Sequence, residues 1–374
     1  MQTTSPVTRS QASDANEPAR RINRGAFTLI ELLIVTVIIG LLVAMIAPAV
    51  MRGFRAARDA QVRAEISQLE AAVTSFKTTY GVEPPSRIVL FEAHADGSDA
   101  GGNDWDDVTT FTPAGELARS RAIIRRIWPQ FDFTTPHDPV TFPRDLNGDG
   151  DATDVLTLNA SQCLLFFLGG GQDTSKAMVG FSKNPTNPFK TGGSRDGPFF
   201  EFRLDRVLAG PTGQFPTYVD SYAQQSRGYV YFSSNDGRGY RPLGADGRAG
   251  VSGVDDDGNG KTDFLDAGNT VPDPAEVGFA GSDDESPPGG PASVYLQEVS
   301  ASASAAYKAQ TFQIISPGVD GKFGVGGLFK AEEQQNSLKT RRPDDTMGSD
   351  PEFVNGLAEY DNITNFHGGR LYAR

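Results

Sequence analysis

Two short loops carry residue types and spacings that suit a hard metal ion. The first runs from Asp255 to Asp266 and reads DDDGNGKTDFLD, with oxygen-bearing side chains at positions 1, 3, 5, 9 and 12 and glycine at position 6. This is the spacing of an EF-hand calcium loop. The oxygen-bearing side chains are those of Asp255, Asp257, Asn259, Asp263 and Asp266. The last aspartate is shorter than the usual glutamate, and Gly and Pro residues stand where an EF-hand has helices. A calcium loop and an unliganded acidic turn therefore both stay open.

The second loop contains Asp145, Asn147 and Asp149 in the segment DLNGDGDATD. These side chains again hold positions 1, 3 and 5, but position 12 is Leu156, which cannot bind a metal ion. Calcium is the one cofactor that the two loops suggest, and an unliganded turn stays the alternative here as well.

Enzymatic chemistry has little support in the sequence. The chain has three histidines and one cysteine, and none of them lies in an HExxH, CxxC or comparable catalytic pattern. Cys163 lies in the apolar run SQCLLFFLGG, which is typical of a buried structural thiol. The net charge of -13 repels phosphate backbones, so nucleic acid is not an expected partner. We predict that the chain is not an enzyme.

One apolar segment is long enough to cross a membrane. It extends from Phe27 to Val50 and contains a single charged residue, Glu31. At about 1.5 Å per residue, a helix of this length spans a hydrocarbon core of about 30 Å. Arginines stand on both sides of the segment, so the positive-inside rule leaves its orientation open. These arginines are Arg20, Arg21 and Arg24 before it and Arg52, Arg55, Arg58 and Arg63 after it.

Glu31 is costly in such a helix. A carboxylate inside a membrane segment costs on the order of 2.5–3.5 kcal/mol on insertion scales. It must therefore find a partner or stay protonated. A charge that merely snorkels to the headgroups is the alternative.

The residues around Glu31, RGAFTLIELLI at 24–34, resemble the N-terminal cleavage and methylation motif of type IV pilins and type II secretion pseudopilins. The resemblance implies that prepilin peptidase removes the leader and methylates the new amine of Phe27. Glu31, then fifth in the mature chain, would pair with that amine on a neighbouring subunit during filament assembly. Ala26 separates Gly25 from Phe27, so cleavage after Gly25 and cleavage after Ala26 both stay open. Cleavage after Ala26 keeps the glutamate spacing.

The C-terminal part resembles the end of the major pseudopilin of type II secretion. The segment SPGVDG at 316–321 fits its Ser-x-Gly-x-Asp-Gly turn, and DNITNF at 361–366 fits a later segment that closes a calcium site there. The resemblance implies that Ser316, Asp320 and Asp361 bind calcium or hold the loop, with backbone carbonyls completing the site. A plain turn is the alternative.

Beyond the membrane segment the helical period continues. Apolar residues recur at spacings of three and four, and Gly81 with the pair Pro84-Pro85 ends the pattern. The stripe consists of Val62, Ile66, Leu69, Val73, Phe76 and Tyr80. It predicts that the helix packs on the chain's own globular domain, with a short coiled-coil seam as the alternative.

The remaining residues predict an α+β, pilin-like fold, in which the long N-terminal helix packs on an antiparallel sheet with long Gly/Asp-rich loops. Residues 116–128 suit an amphipathic helix, and a second short helix is capped by Asn159 or Ser161 and stopped by three glycines. Strands are expected within 198–204, 227–234, 292–300 and 306–316, which are rich in aromatic and β-branched residues.

These patterns predict a leader at residues 1–26, a transmembrane and assembly helix at 27–50, an amphipathic helix at 51–81 and a periplasmic globular domain with inserted loops at 82–374. We expect a structural subunit of a type II secretion pseudopilus or related type IV filament. It would cross the inner membrane once, with its C-terminal domain in the periplasm or at the cell exterior. Expected partners are prepilin peptidase, other pilin-like subunits and the inner membrane.

The alternative is a calcium-binding protein that does not form filaments. It would be either secreted, with a signal peptide cut after Ala47-Pro48-Ala49, or anchored in the membrane.

Overall fold

The structure is a computed structural model that describes residues 28–92, 105, 116–133, 145–149, 154–173, 175–190, 192–210, 214–240, 294–300, 303–323, 326–329 and 361–371. The chain divides into two compact units, residues 1–54 and 55–374. Its elements in chain order are α1 (Leu29–Tyr80), β1 (Ile88–Phe91), α2 (Glu116–Ile127), β2 (Val155–Leu158), α3 (Ala160–Gly169), β3 (Phe181–Ser182), β4 (Arg195–Asp196), a 3-10 turn (Leu204–Arg206), β5 (Val207–Leu208), β6 (Thr217–Tyr218), β7 (Val230–Ser233), β8 (Tyr295–Ser300), β9 (Ala303–Ala306), β10 (Phe312–Ser316), β11 (Gly327–Leu328) and β12 (Ile363–Thr364).

In the first unit, helix α1 is apolar and exposed. Every residue from Leu29 to Met51 is exposed, and Pro48 lies within the helix without ending it. Among the described residues, α1 is the one helix that is long and apolar enough to cross a membrane. Because such a surface is unstable in water, this part of the helix needs lipid or other apolar helices around it.

In the second unit, one face of α1 is buried in a hydrophobic core, as the apolar stripe predicts. Five of the six stripe residues are at most 2% exposed, and Tyr80 is half-buried against the same core. The five are Val62, Ile66, Leu69, Val73 and Phe76. The helix ends at the predicted glycine: Gly81 has φ +78° and donates its N–H to the carbonyl of Lys77 over 2.8 Å.

Aromatic side chains fill the core beside this face. The ring of Phe76 lies 5.7 Å from that of Phe167 on α3 and 5.4 Å from that of Phe199, both in edge-to-face contact. Cys163, also on α3, is fully buried. Helix α3 thus packs entirely inside the domain.

The start of α3 settles which residue caps it. The Asn159 side chain accepts the N–H groups of Ser161 at 3.1 Å and Gln162 at 3.2 Å, and the Gln162 side chain accepts the N–H of Asn159 at 3.0 Å. This reciprocal pair is a capping box. Asn159 is therefore the N-terminal cap, and Ser161 lies in the first turn of the helix.

Asp59 on α1 binds the C-terminal part of the chain. The guanidinium of Arg370 donates to both of its oxygens, at 2.8 and 2.9 Å, and the Tyr222 hydroxyl donates at 2.5 Å. Burial raises the pKa of Asp59, but these hydrogen bonds and the nearby charge of Arg63 outweigh it, and the pKa lies below its usual value.

Glu65, one and a half turns further along α1, binds a second set of groups. Arg206 forms an ion pair with it, and the hydroxyls of Tyr218 and Tyr229 donate to its oxygens at 2.9 and 2.6 Å.

Glu70 accepts hydrogen bonds from the Asn365 amide at 3.0 Å and from the Lys308 ammonium at 3.5 Å. Together Asp59, Glu65 and Glu70 form the inner carboxylates of α1, and all of them face the domain.

The strands form several small sheets, most of them antiparallel. The sheet β12-β10-β7 contributes to the core, β11-β8-β9 contains one parallel pair, and β1-β2, β3-β4 and β5-β6 are two-stranded. The strands predicted within 227–234, 292–300 and 306–316 are confirmed as β7, β8 and β10. The chain therefore has an α+β architecture with a long apolar N-terminal helix, consistent with a pilin-like fold.

The strand predicted within 198–204 is wrong. The N–H groups of Phe199 and Phe200 donate to the carbonyl of Leu168 at the end of α3, at 2.7 and 3.3 Å, and the chain then enters the 3-10 turn. Helix ends leave carbonyls without partners, so this segment uses its donors there instead of in a sheet. Its aromatic side chains pack as core residues in either conformation.

Leu69→Ala should destabilise the domain by about 2–5 kcal/mol, because it opens a cavity at a fully buried site. Urea unfolding of the full-length chain in detergent, followed by near-ultraviolet circular dichroism, measures the effect. Gln68→Ala, at the exposed neighbouring position, is the control and should change stability by less than about 0.5 kcal/mol. Equal losses in the two variants would mean that α1 does not anchor this core.

Candidate functional sites

The start of α1 holds the Glu31 carboxylate in a defined place. Both the backbone N–H and the hydroxyl of Thr28 donate to Oε2 of Glu31 at 2.9 Å, and the N–H of Glu31 donates to the Thr28 hydroxyl oxygen at 3.3 Å. This is a capping box, in which a residue before the helix and the third helical residue satisfy each other's backbone groups. The signal, threonine three residues before glutamate, was present in the sequence and was missed.

Among the described residues, Thr28 donates both hydrogen bonds that the Glu31 side chain accepts, and both reach Oε2. Oε1 is thus open to a further donor without disrupting the helix start. The processing residues Gly25, Ala26 and Phe27 lie outside the described residues, and their roles remain predictions.

The C-terminal turn places Asp361 against the backbone of the segment from Ser316 to Asp320. Ser316 ends β10, which pairs with β12 in a register that places Ser316 opposite Ile363. Oδ2 of Asp361 accepts the N–H groups of Val319 at 2.5 Å and Asp320 at 3.0 Å. Asp361 therefore fixes the backbone of the turn.

Glycine is required at position 318 in this turn. Gly318 has φ +69°, and a Cβ there would lie 2.4 Å from the carbonyl oxygen of Asp361. The close approach leaves no space for a side chain.

Asp361 also offers an oxygen for a cation. The residue is 9% exposed, and its buried Oδ1 has no hydrogen-bond partner in the described structure. Burial raises the pKa of this carboxyl group. A hard cation would satisfy the oxygen. Within the described ranges, however, no three His, Cys, Asp or Glu side chains are grouped around a metal position, so calcium here would need other ligands such as backbone carbonyls.

The other two predicted residues of this turn face different surroundings. The Ser316 hydroxyl donates to Oδ2 of Asp220 at 2.6 Å, whereas Asp320 is exposed and its Oδ1 accepts the N–H of Lys322 at 2.8 Å. Asp220 was not predicted. It is 1% exposed, and burial raises its pKa to about 6 despite hydrogen bonds from Ser316, Tyr222 and Gln225.

The loop of Asp145, Asn147 and Asp149 is held by its own side chains. Asp145 accepts the N–H of Gly148 at 2.6 Å, and the Asn147 side-chain oxygen accepts the N–H of Asp149 at 3.0 Å. The Asn147 amide nitrogen donates to the carboxylates of Asp149 at 3.1 Å and Asp154 at 2.9 Å. Asn147 thus contacts Asp149 and the unpredicted Asp154, whereas Asp145 holds the backbone of the turn.

A lysine already supplies a positive charge to this loop. The Lys176 ammonium donates to the carbonyls of Asn147 at 3.2 Å and Gly148 at 2.6 Å. A calcium ion that used these carbonyls would have to displace the ammonium.

Glu92 lies beneath the same loop and was missed by the sequence analysis. It is 1% exposed, and its two oxygens accept the N–H groups of Leu146 at 2.6 Å and Asp154 at 3.3 Å. Burial and the carboxylates of Asp154 and Asp145 raise its pKa to about 8. Glu92 follows β1 directly, and only the antiparallel pairing of β1 with β2 brings it beside residues more than fifty positions away.

The third candidate site, with Asp255, Asp257, Asn259, Asp263 and Asp266, lies outside the described residues. Calcium binding there remains a prediction.

The N-terminus matches a known family model. Residues 21–47 match the model described as the prokaryotic N-terminal methylation motif. No curated protein and no solved structure matches the chain. The match supports a type IV pilin-like prepilin motif, which marks a structural substrate of prepilin peptidase rather than an enzyme family. Together with the apolar helix that follows, it fits a single-pass anchor in the inner membrane.

Glu92→Gln should remove a pH dependence of stability. Because folding raises the pKa of Glu92 from 4.5 to about 8, its contribution to stability is complete below pH 4.5 and is lost as the pH rises through 8. In chelator, the wild-type free energy of unfolding should fall by roughly 4 kcal/mol more across this range than the variant's. The variant keeps the smaller decrease that the raised pKa of Asp220 causes as the pH rises through about 6. Urea unfolding at several pH values measures the slope.

Glu201→Gln removes an exposed carboxylate and is the control for a change of charge alone. A wild-type free energy that stays level between pH 5 and 8 in chelator would contradict the prediction. A wild-type free energy of unfolding that is independent of pH only when calcium is present would instead indicate a cation in the loop beside Glu92.

Proposed function

We propose that this chain is a structural pilin-like subunit of a type II secretion pseudopilus or a related type IV filament. The observation that carries the proposal is the methylation motif at residues 21–47, which continues directly into an apolar, exposed helix from Leu29. The sequence resemblance of the C-terminal turn, whose backbone at Val319 and Asp320 is held by Asp361, favours type II secretion among these systems.

Processing comes first in the proposed mechanism. Prepilin peptidase cuts before Phe27 and methylates its amine, which leaves Glu31 as the fifth residue of the mature chain. The globular domain lies in the periplasm or at the cell exterior, and the leader lies on the cytoplasmic side.

Glu31 then directs assembly. Its capping box with Thr28 fixes Oε2 at the first turn of α1, so Oε1 is held ready for the amine of Phe27 on a neighbouring subunit. In a bundle of apolar helices a charge pair is strongly favoured over two separate charges, because the dielectric is low. This pairing draws the subunit from the bilayer into the filament.

The second half of α1 transmits that movement to the domain. The buried stripe and the inner carboxylates Asp59, Glu65 and Glu70 bind the helix to the domain along about five turns. Since these contacts are buried or half-buried, the helix cannot leave the membrane without carrying the domain along.

Variants at the start of α1 separate the capping role of Glu31 from its charge. Glu31→Leu and Glu31→Ala remove both, Glu31→Gln keeps a capping acceptor without the charge, and Thr28→Val keeps the charge without the hydroxyl. We expect normal processing in all four variants. Their intact mass should correspond to a chain that begins at N-methylated Phe27. Filaments, seen by electron microscopy of sheared cells, should be absent in the three Glu31 variants and present in Thr28→Val.

Several results would contradict this account. Normal filaments from Glu31→Leu would remove the role of the carboxylate, and filaments from Glu31→Gln would reduce that role to capping. A native chain starting near Val50 would make the protein secreted, and an uncut N-terminus would leave a membrane-anchored protein without assembly.

Calcium binding is a second proposed property, supported by the buried Oδ1 of Asp361 that has no partner in the described structure. At the C-terminal turn, Asp361 would supply this oxygen, Ser316 and Asp320 would bind the ion or hold the loop, and carbonyls would complete the shell. The loops at 145–149 and 255–266 are further proposed sites. If the filament role fails, a secreted or membrane-anchored calcium-binding protein is the remaining function.

Asp361→Asn should abolish calcium binding at the turn and leave the turn folded. The amide oxygen can still accept the two N–H groups that Oδ2 accepts now, whereas the amide nitrogen cannot bind calcium. Calorimetry of the full-length chain at millimolar calcium measures binding, and melting in chelator checks the fold. Asp205→Asn, at an exposed carboxylate, is the control, and a wild-type chain that gives no binding heat would rule out calcium.

A further inference from the structure

Two of the arginines that follow the membrane segment on α1, Arg55 and Arg58, leave their charge unpaired within the part of the chain that the structure describes. Arg55 and Arg58 are exposed, and within the described residues neither forms a hydrogen bond or an ion pair. They stand five and eight residues after Val50, which is about 8 and 12 Å along a helix. The headgroup region of one leaflet is about 5–8 Å thick, so a flexible arginine side chain at either position reaches it.

The acidic residues of this helical segment do not compete for these arginines. Asp59 binds Arg370 and Tyr222, and Glu65 and Glu70 bind other groups of the domain. The exposed positions between the arginines are Ala56 and Ala57, and Ala60 follows. Phe54, directly before Arg55, is also exposed. The outward face therefore presents positive charge beside apolar side chains.

This placement opposes two general tendencies. Basic residues are normally depleted just outside a membrane span on its translocated side. The chain as a whole also carries a net charge of -13, so an anionic membrane surface repels it. Positive charge at the helix exit would offset that repulsion where the chain lies nearest to the lipid.

The side chains have the chemistry of phosphate recognition. Both are arginine and not lysine, and the planar guanidinium binds phosphate through two parallel hydrogen bonds. A lipid phosphate presents its oxygens at the depth that these side chains reach.

We propose that Arg55 and Arg58 bind the phosphate groups of anionic phospholipids in the outer leaflet of the inner membrane. These contacts would hold α1 at a fixed depth before assembly. This rests on one part of the proposed function, namely that α1 spans the membrane with the domain outside. Entry into the filament then exchanges these lipid contacts for contacts with other subunits.

The test measures lipid selectivity of the full-length chain in phosphatidylcholine vesicles that contain trace spin-labelled phosphatidylglycerol or phosphatidylcholine. Electron paramagnetic resonance reports the fraction of labelled lipid that the protein immobilises. Arg55→Gln/Arg58→Gln should lower the preference for phosphatidylglycerol at least about fivefold at low salt, since each basic residue at an anionic surface contributes about that factor. In 1 M salt the wild-type preference should also fall, because the screening length is about 3 Å.

The control pair is Lys190→Gln/Arg238→Gln, which removes the same charge at two exposed positions elsewhere in the domain and should keep the wild-type preference. A double arginine variant with undiminished preference would overturn the proposal. If the double arginine variant keeps its lipid preference but two copies of the chain no longer crosslink to each other, the arginines bind a neighbouring subunit and the proposal is wrong. Failure of the chain to float with phosphatidylcholine vesicles would refute the membrane anchor itself, a separate outcome.

Discussion

Burial of one face of helix α1 is the interaction on which the fold of residues 55–374 depends. Each fully buried large apolar side chain contributes about 1.5–3 kcal/mol, so the five in this stripe together match the whole stability of a typical domain. The sheets around the helix have only two or three strands each. Sheets of that size need a packing partner to be stable, and α1 with α3 provides it.

The exposed, apolar part of the same helix has the opposite requirement. From Leu29 to Met51 every residue is exposed among the described residues, so this segment must be surrounded by lipid or by similar helices. A subunit that moves from a bilayer into a helical bundle meets this requirement at both stages. Hydrogen bonds from Thr28 partly satisfy the Glu31 carboxylate, and in the proposed filament it would gain a charged partner.

Two polar sites of the domain are built in the same way. In each, a buried carboxylate holds a loop by accepting backbone N–H groups: Glu92 holds the loop at 145–154, and Asp361 holds the turn at 316–321. These hydrogen bonds fix the backbone of each loop, and at Asp361 one oxygen has no partner in the described structure.

Local features of this protein follow from its sequence alone, because they depend on residues within one or two helical turns. The length and end of α1, its buried stripe and the motif around Glu31 are of this kind, and the capping box of Thr28 could have been predicted in the same way. The sequence left Asn159 and Ser161 as alternative caps of α3, and the structure decided for Asn159. Tertiary structure decided the rest. Pairing of β1 with β2 places Glu92 beside Asp154, and pairing of β10 with β12 places Asp361 at the turn after Ser316. Such contacts join residues tens of positions apart, and no spacing pattern records them. For the same reason, the aromatic run at 198–204 suggested a strand, whereas the free carbonyl of Leu168 bound its N–H groups.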